Sequence, residues 1–219
     1  MQRALRGPQR HGRVPSTRRG PRRGRTRLAV ATLNGSCWKT AWTAIQMSRW
    51  DIVCVQEHRL HPTELADAAT DAARHGWRVH GSPCTTGKAG GASAGVAIVV
   101  RASLTAGPTL LPLPPLHTPA RLAAVAVRLK GAFMVVYAAY FLDGDPLGAY
   151  NKRLLAELLE HIDSHKELSI IRGDFNITPD TMTDLLASAG SAITAAATDA
   201  PTCRVGRGTT LDYFIADAP

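Results

Sequence analysis

Residues 169–179 read Ser-Ile-Ile-Arg-Gly-Asp-Phe-Asn-Ile-Thr-Pro, and they hold the most chemically suggestive pair of side chains in the chain. The apolar run of Ile170 and Ile171 stops at Gly173, and a carboxylate, Asp174, and a carboxamide, Asn176, follow two residues apart. Side chains alternate along an extended backbone, so strand geometry carried through Phe175 would put both on one face. A carboxylate beside a carboxamide at the end of a buried strand suits a hard cation, a water and a phosphate. The competing reading is a turn, because Asp and Asn often close strands by bonding their own backbone.

Polar residues stand at other strand-like runs too. Asn34 follows Ala31-Thr32-Leu33, Glu57 follows Val53-Cys54-Val55-Gln56, Tyr140 follows Val135-Val136-Tyr137-Ala138-Ala139, and Asp212 follows Thr209-Thr210-Leu211. One such residue means little. Five runs marked this way suggest a shared rim, since loops at strand ends are where α/β scaffolds place chemistry. Taken singly, Asn34 reads as a turn residue and Tyr140 as a packing residue with a wet hydroxyl. Glu57 differs, because an unpaired carboxylate after an apolar strand is costly. Asp143 and Asp145 read as turn residues, and His58, His61 and His80 as surface or satisfied histidines.

The elements that must position these groups follow from periodicity. Leu28–Leu33 reads as a short strand ending at Asn34-Gly35. Residues 38–49 place apolar side chains at helical spacing, and Asp51–Gln56 reads as a buried strand. Pro62-Thr63-Glu64 opens a second helix through Arg74, stopped by Gly76. Strands follow at Trp77–His80, Gly95–Val100, Leu122–Leu129 and Ala132–Tyr140, joined by Lys88-Ala89-Gly90-Gly91 and a Pro-rich stretch at 108–119. Tyr150–His165 reads as an amphipathic helix with Leu154, Leu155, Leu158, Leu159 and Ile162 on one side. The strand bearing Asp174, a helix near Thr181–Ala189 and a strand at Thr210–Ala216 complete the pattern. Consecutive strands between residues 95 and 140 favour two packed sheets with helices outside over a doubly wound parallel sheet.

The net charge of +9 is unevenly spread. Residues 1–27 hold ten arginines and no acid, while the remaining 192 residues carry 16 Lys and Arg against all 17 Asp and Glu, a net of about −1. The basic character therefore belongs to the N-terminal segment, and gives no sign of a nucleic-acid groove on the domain. That segment is rich in Gly and Pro and poor in large apolar residues, so it is expected to be disordered. It suits phosphate binding, a nuclear address or no role at all. No apolar run approaches the about 18 residues needed to cross a bilayer, and no secretory signal stands at the start. Cys37, Cys54, Cys84 and Cys203 lie far apart without metal-ligand spacing, which makes a reducing, intracellular setting the simpler inference.

Thr32-Leu33-Asn34, the Asp51–Glu57 run, Gly95–Val100, Tyr140, Gly173–Pro179 and Leu211–Ile215 together resemble the endonuclease/exonuclease/phosphatase superfamily, in its order and spacing over residues 28–217. The Gln56-Glu57 and Gly173-Asp174-Phe175-Asn176 blocks are the specific ones. Tyr140-Phe141-Leu142-Asp143-Gly144 before a Leu-rich helix resembles the endonuclease domains of non-LTR retroelements. The resemblance implies an α/β (α+β) four-layer sandwich of two packed mixed sheets flanked by helices. It also implies phosphodiester hydrolysis with Mg²⁺, or Mn²⁺ in its place, and DNA as the foremost partner. RNA or a phospholipid is the alternative substrate, and an inactive remnant binding nucleic acid through the basic segment is the non-enzymatic one.

Carried over by resemblance, Glu57 is the metal-binding carboxylate and Asn34 supports metal and phosphate. Asp174 orients or deprotonates the attacking water, while Asn176 and Tyr140 donate to the phosphoryl group. Asp212 matches an aspartate that usually orients a histidine. The family pattern then ends in a Ser-Asp-His block, whereas this sequence stops at Pro219 with none of its eight histidines beyond His165. The expectation is a domain spanning 28–219 that lacks its terminal strand region. Ser36 is a second departure, standing where many relatives carry Asn or Asp.

Overall fold

A computed structural model describes residues 27–87, 90–107, 110–111, 113–196 and 210–217. The expectation of disorder in the arginine-rich segment concerns residues outside these, apart from Arg27, and so do Lys88, Ala89 and part of the Pro-rich stretch.

Elements alternate along the chain as β1 (Val30–Asn34), α1 (Trp38–Met47), β2 (Ile52–Gln56), α2 (Pro62–Arg74), β3 (Trp77–Ser82), β4 (Thr85–Thr86), β5 (Ala92–Ser93) and β6 (Val96–Arg101). The second half runs β7 (Ala106–Gly107), β8 (Leu122–Leu129), β9 (Ala132–Tyr140), α3 (Ala149–Asp163), β10 (Leu168–Asp174), α4 (Pro179–Ser188), β11 (Ile193–Ala196) and β12 (Asp212–Asp217). A four-stranded sheet has the order β1-β2-β6-β3 and a six-stranded sheet the order β11-β12-β10-β9-β8-β7, with β4 and β5 forming a small hairpin. Both large sheets are mixed: β1 with β2 and β9 with β10 are parallel, and their other neighbours antiparallel.

Period-two alternation sorts the apolar side chains into three cores. On β2, Ile52 and Cys54 face the opposite sheet, while Val53 and Val55 face the helices. On β9, Met134, Val136, Ala138 and Tyr140 face between the sheets, and Val135, Tyr137 and Ala139 face α3. Strands buried on both faces explain why these runs read as unbroken apolar stretches. Ala41 and Ile45 of α1 and Ala72 of α2 cover the first sheet. Leu154, Leu155, Leu158 and Ile162 of α3, with Met182 and Leu186 of α4, cover the second. Three cores between four layers make the α/β sandwich that the resemblance implied. Tyr140 therefore belongs to the inter-sheet core, and its hydroxyl marks where that core ends.

Helix ends follow local chemistry. His61 and Glu64 form a capping box before α2, with the Glu64 carboxylate accepting from His61 N at 2.8 Å. Thr178 caps α4 by accepting from Thr181 N, and Pro179 takes the first helical position. That explains why α4 begins at Pro179 rather than at Thr181: proline's fixed φ suits the first turn. β3 continues past His80 to Ser82 by pairing with β6 as far as Val96. β4, β5, β7 and β11, of two to four residues, are too short for periodicity to reveal. The last strand starts at Asp212 instead of Thr210.

Candidate active site

Register brings the first three groups abreast. β9 and β10 run parallel with Tyr140 beside Asp174, and β10 and β12 run antiparallel with Asp174 beside Asp212. Neighbours in register share a sheet face, so one phenol and two carboxylates line up across the ends of three interior strands of the six-stranded sheet. The four-stranded sheet meets them from across the core. Asn34, the last residue of β1, pairs with Gln56, the last of β2, and Glu57 follows at once.

Two hydrogen bonds join the rims. Asn34 Nδ2 donates to Asp174 Oδ2 at 2.7 Å, between residues 140 apart in sequence. The Tyr140 hydroxyl donates to Glu57 Oε1. Glu57 Oε2 also accepts from Arg59 Nη2 at 3.1 Å. Backbone strain accompanies this arrangement: Glu57 has φ +54 and Arg59 φ +56. Left-handed backbone costs a non-glycine residue about 1–2 kcal/mol and persists where the surroundings impose it.

The Asp174–Asn176 turn differs from the expectation of a continuing strand. β10 stops at Asp174, and Asn176 has φ +50, a conformation that asparagine tolerates well. Asp174 Oδ1 accepts from Asn176 N at 3.2 Å, which is the turn reading of these residues. The Asn176 amide donates to Phe141 O at 2.9 Å, and Phe141 N donates to Asp174 O at 2.9 Å. Turn chemistry, not strand periodicity, thus keeps Asn176 beside Asp174. Gly173 just before it tolerates no side chain, since a Cβ there would lie 2.3 Å from the Ala139 carbonyl oxygen.

Asp174 is 7 % exposed. Burial first, then the Asp212 carboxylate and more weakly Glu57, push its pKa up to about 6, against the donors of Asn34 and Asn176 that pull it down. Asp212 and, more weakly, Glu57 are thus close enough to Asp174 for their charges to oppose its ionisation. A cation among them would relieve that repulsion. Among the described residues no cluster of three or more His, Cys, Asp or Glu side chains is set to ligate a metal. A hard divalent cation such as magnesium asks for less, namely one or two carboxylates with waters filling the rest of an octahedron. Glu57, helped by the Oδ1 of Asn34, fits that demand in donor type.

All six residues singled out by the sequence, Asn34, Glu57, Tyr140, Asp174, Asn176 and Asp212, come to this rim. Ser36 N donates to Asn34 Oδ1 at 3.3 Å, so the residue that departs from the family pattern serves as a backbone donor. His58 is a satisfied core histidine, with Nε2 against Ser82 O at 3.1 Å and Nδ1 accepting from Leu60 N at 3.1 Å. Arg59 and Arg121 are neighbours of the site that the sequence did not reveal. Arg59 lies two residues from Glu57, a spacing that could have pointed to it, whereas Arg121 sits in a loop-like stretch without any local signal.

Comparisons with known proteins agree with this architecture. A family model described as the Endonuclease/Exonuclease/phosphatase family matches residues 12–219. A search of curated protein sequences finds no match. Among solved structures, the endonuclease domain of TRAS1, a telomere-specific non-LTR retrotransposon, superposes with a TM-score of 0.60 at 18 % identity, covering 86 % of this chain and 83 % of that one. The human Nocturnin catalytic domain with bound sulfate gives 0.61 at 16 % identity, over 87 % and 81 %. The 3′-5′ exonuclease NExo from Neisseria meningitidis gives 0.59 at 17 % identity, over 86 % of each chain. Likeness at these identities concerns the fold.

Proposed function

The chain belongs to the endonuclease/exonuclease/phosphatase family, and from that premise we propose that it is a metal-dependent phosphodiesterase acting on DNA, an endonuclease of retroelement type. The observation that carries the reading is the pair of inter-sheet hydrogen bonds, Asn34 to Asp174 and Tyr140 to Glu57, closing two rims around one point. The retroelement assignment draws on the resemblance of the Tyr140–Gly144 stretch and on the fold shared with the TRAS1 domain.

Glu57 and Asn34 would hold magnesium or manganese, which when bound supplies positive charge to the phosphate. Asp174 is the base. A carboxylate with a pKa of about 6 is mostly ionised at neutral pH yet basic enough to take a proton. Its two oxygens are held by Asn34 and by the Asn176 backbone, which fixes the carboxylate plane toward an incoming water. The water oxygen attacks phosphorus, its proton passes to Asp174, and the bond from phosphorus to the leaving sugar oxygen breaks, that oxygen keeping the electron pair and taking a proton from solvent. The Asn176 amide keeps one N–H beyond its bond to Phe141 for a phosphoryl oxygen carrying growing charge. Asp212 raises the basicity of Asp174 through its own charge.

Nicking of supercoiled plasmid with magnesium, manganese or EDTA tests the reading, beside an RNA strand and a phospholipid diester at equal concentration. Metal-dependent nicking that Glu57→Ala and Asp174→Ala both abolish is the expected result. Equal nicking by both variants refutes the site, and faster hydrolysis of RNA or lipid refutes DNA as the substrate.

A further inference from the structure

Arg121 lies one residue before β8, and its carbonyl accepts the N–H of Tyr140 at 2.9 Å. The pairing of β8 with β9 makes the two residues cross-strand neighbours, with their side chains on one face. The Arg121 guanidinium carbon stands 4.5 Å from the centroid of the Tyr140 ring. Arg121 is only 8 % exposed, and its Nη1 is buried without a hydrogen-bond partner. Burial disfavours its charge, while Tyr150 and the Glu57 carboxylate favour it. Tyr150 in turn lies under Arg153, 5.3 Å from its ring centroid. Two cation–ring contacts therefore stand near the site, the exposed Arg153 over Tyr150 and the buried Arg121 over Tyr140.

The loop leading into Arg121 is fastened as well. Glu157 of α3 accepts from Thr118 N at 2.9 Å and from Thr118 Oγ1 at 2.7 Å, and Thr118 O accepts from Arg121 N at 2.9 Å. A guanidinium in such a place is expensive, because a buried charge with an unmade hydrogen bond loses hydration that nothing fully replaces. An apolar side chain of similar length would fill the space without that cost. What it could not supply is positive charge over the face of Tyr140.

We propose that Arg121 is a positioning residue that acts through Tyr140, holding the ring by a cation–π contact and polarising the phenol so that it donates to Glu57. Electron density drawn toward the cation makes the O–H a stronger donor, and the stacked ring keeps the rotamer that reaches Glu57 Oε1. Glu57 is thereby fixed in the orientation that the site's chemistry requires. Arg121 itself, with Nη1 sealed from solvent, does not touch substrate. For its kinetic consequences the inference rests on the phosphodiesterase reading above.

The experiment combines Arg121→Met, Arg121→Lys, Tyr140→Phe and the Arg121→Met/Tyr140→Phe double variant in the full chain. In metal-free protein carrying ¹³Cζ-tyrosine, with Tyr140 assigned by its loss in Tyr140→Phe, the Tyr140 resonance is expected to move in Arg121→Met and to return part-way in Arg121→Lys. In plasmid nicking, Arg121→Met is expected to lower kcat by about tenfold with KM nearly unchanged, and to cost nothing more once Tyr140 is Phe. An unmoved Tyr140 resonance overturns the proposal. So do losses that add across the double variant, or a rise in KM with kcat intact, which would mark direct contact with substrate. If the wild-type chain cleaves no phosphodiester, the phosphodiesterase reading falls and the resonance alone decides for or against Arg121. If Arg121→Met does not fold, Arg121→Lys decides instead, a shifted resonance and a smaller kcat supporting the proposal and wild-type values of both refuting it.

Discussion

Replacing Asp174 by Asn should make the metal-free protein more stable near neutral pH while removing hydrolysis. Asp174 is held above its ordinary pKa of 3.8, at about 6, by burial and by its neighbours Asp212 and Glu57. A rise of about 2 units corresponds to about 3 kcal/mol by which the native state disfavours the ionised form. The native state binds this proton more tightly than the unfolded chain does. The associated stability is therefore fully present below about pH 4 and is lost as pH rises through about pH 6. Asparagine has the same shape and no charge, but it offers one acceptor oxygen where the carboxylate offers two. One of the hydrogen bonds from Asn34 and Asn176 N is then lost, at about 1 kcal/mol. The balance is a gain of about 2 kcal/mol at about pH 7.5 and a loss of about 1 kcal/mol at about pH 4. Urea unfolding in EDTA at those two pH values measures it. A variant no more stable than wild type near neutral pH, or a difference that does not change with pH, would refute the reasoning.

Glu57→Ala is expected to abolish the rise in melting temperature that magnesium confers on the wild-type chain and to slow nicking by about a thousandfold, as read by thermal denaturation and plasmid assay. Asn34→Ala removes a donor that pulls the Asp174 pKa down, so the rise of kcat/KM with pH should shift to higher pH, with activity near neutrality reduced by about 10–100-fold. Gly173→Ala forces a Cβ to 2.3 Å from the Ala139 carbonyl oxygen. Because that atom belongs to the backbone of the adjacent strand, the substitution should cost about 1–3 kcal/mol in urea unfolding.

Leu122–Leu129 and Ala132–Tyr140 were legible as strands because both are dominated by apolar and β-branched residues and are separated by the Lys130-Gly131 turn, and the structure gives them those bounds. Pro62–Arg74 was legible for a different reason, its Pro62-Thr63-Glu64 opening and its glycine stop at Gly76. Helix α3 showed itself through leucines at helical spacing. The two-residue strands β4, β5 and β7 have too few positions for any period to register. β11 exists because it pairs with β12, a partner distant in sequence. At the site, the types and order of Asn34, Glu57, Tyr140, Asp174, Asn176 and Asp212 were readable, but the means of holding Asn176 was not. Strand periodicity would have placed it by alternation; a left-handed turn and a bond to Phe141 place it instead.

Local chemistry written in the chain decided which segments become strands or helices, which residues close them, and which oxygen-bearing groups stand at their ends. Those properties depend on neighbours a few residues away, so they survive in a linear reading. Tertiary structure alone decided that Asn34 meets Asp174 across 140 residues, that Tyr140 reaches Glu57, and that Arg121 lies over the Tyr140 ring. Each of those meetings is set by which strands pair and how two sheets stack, and burial between the sheets is also what lifts the Asp174 carboxylate into the range of a base.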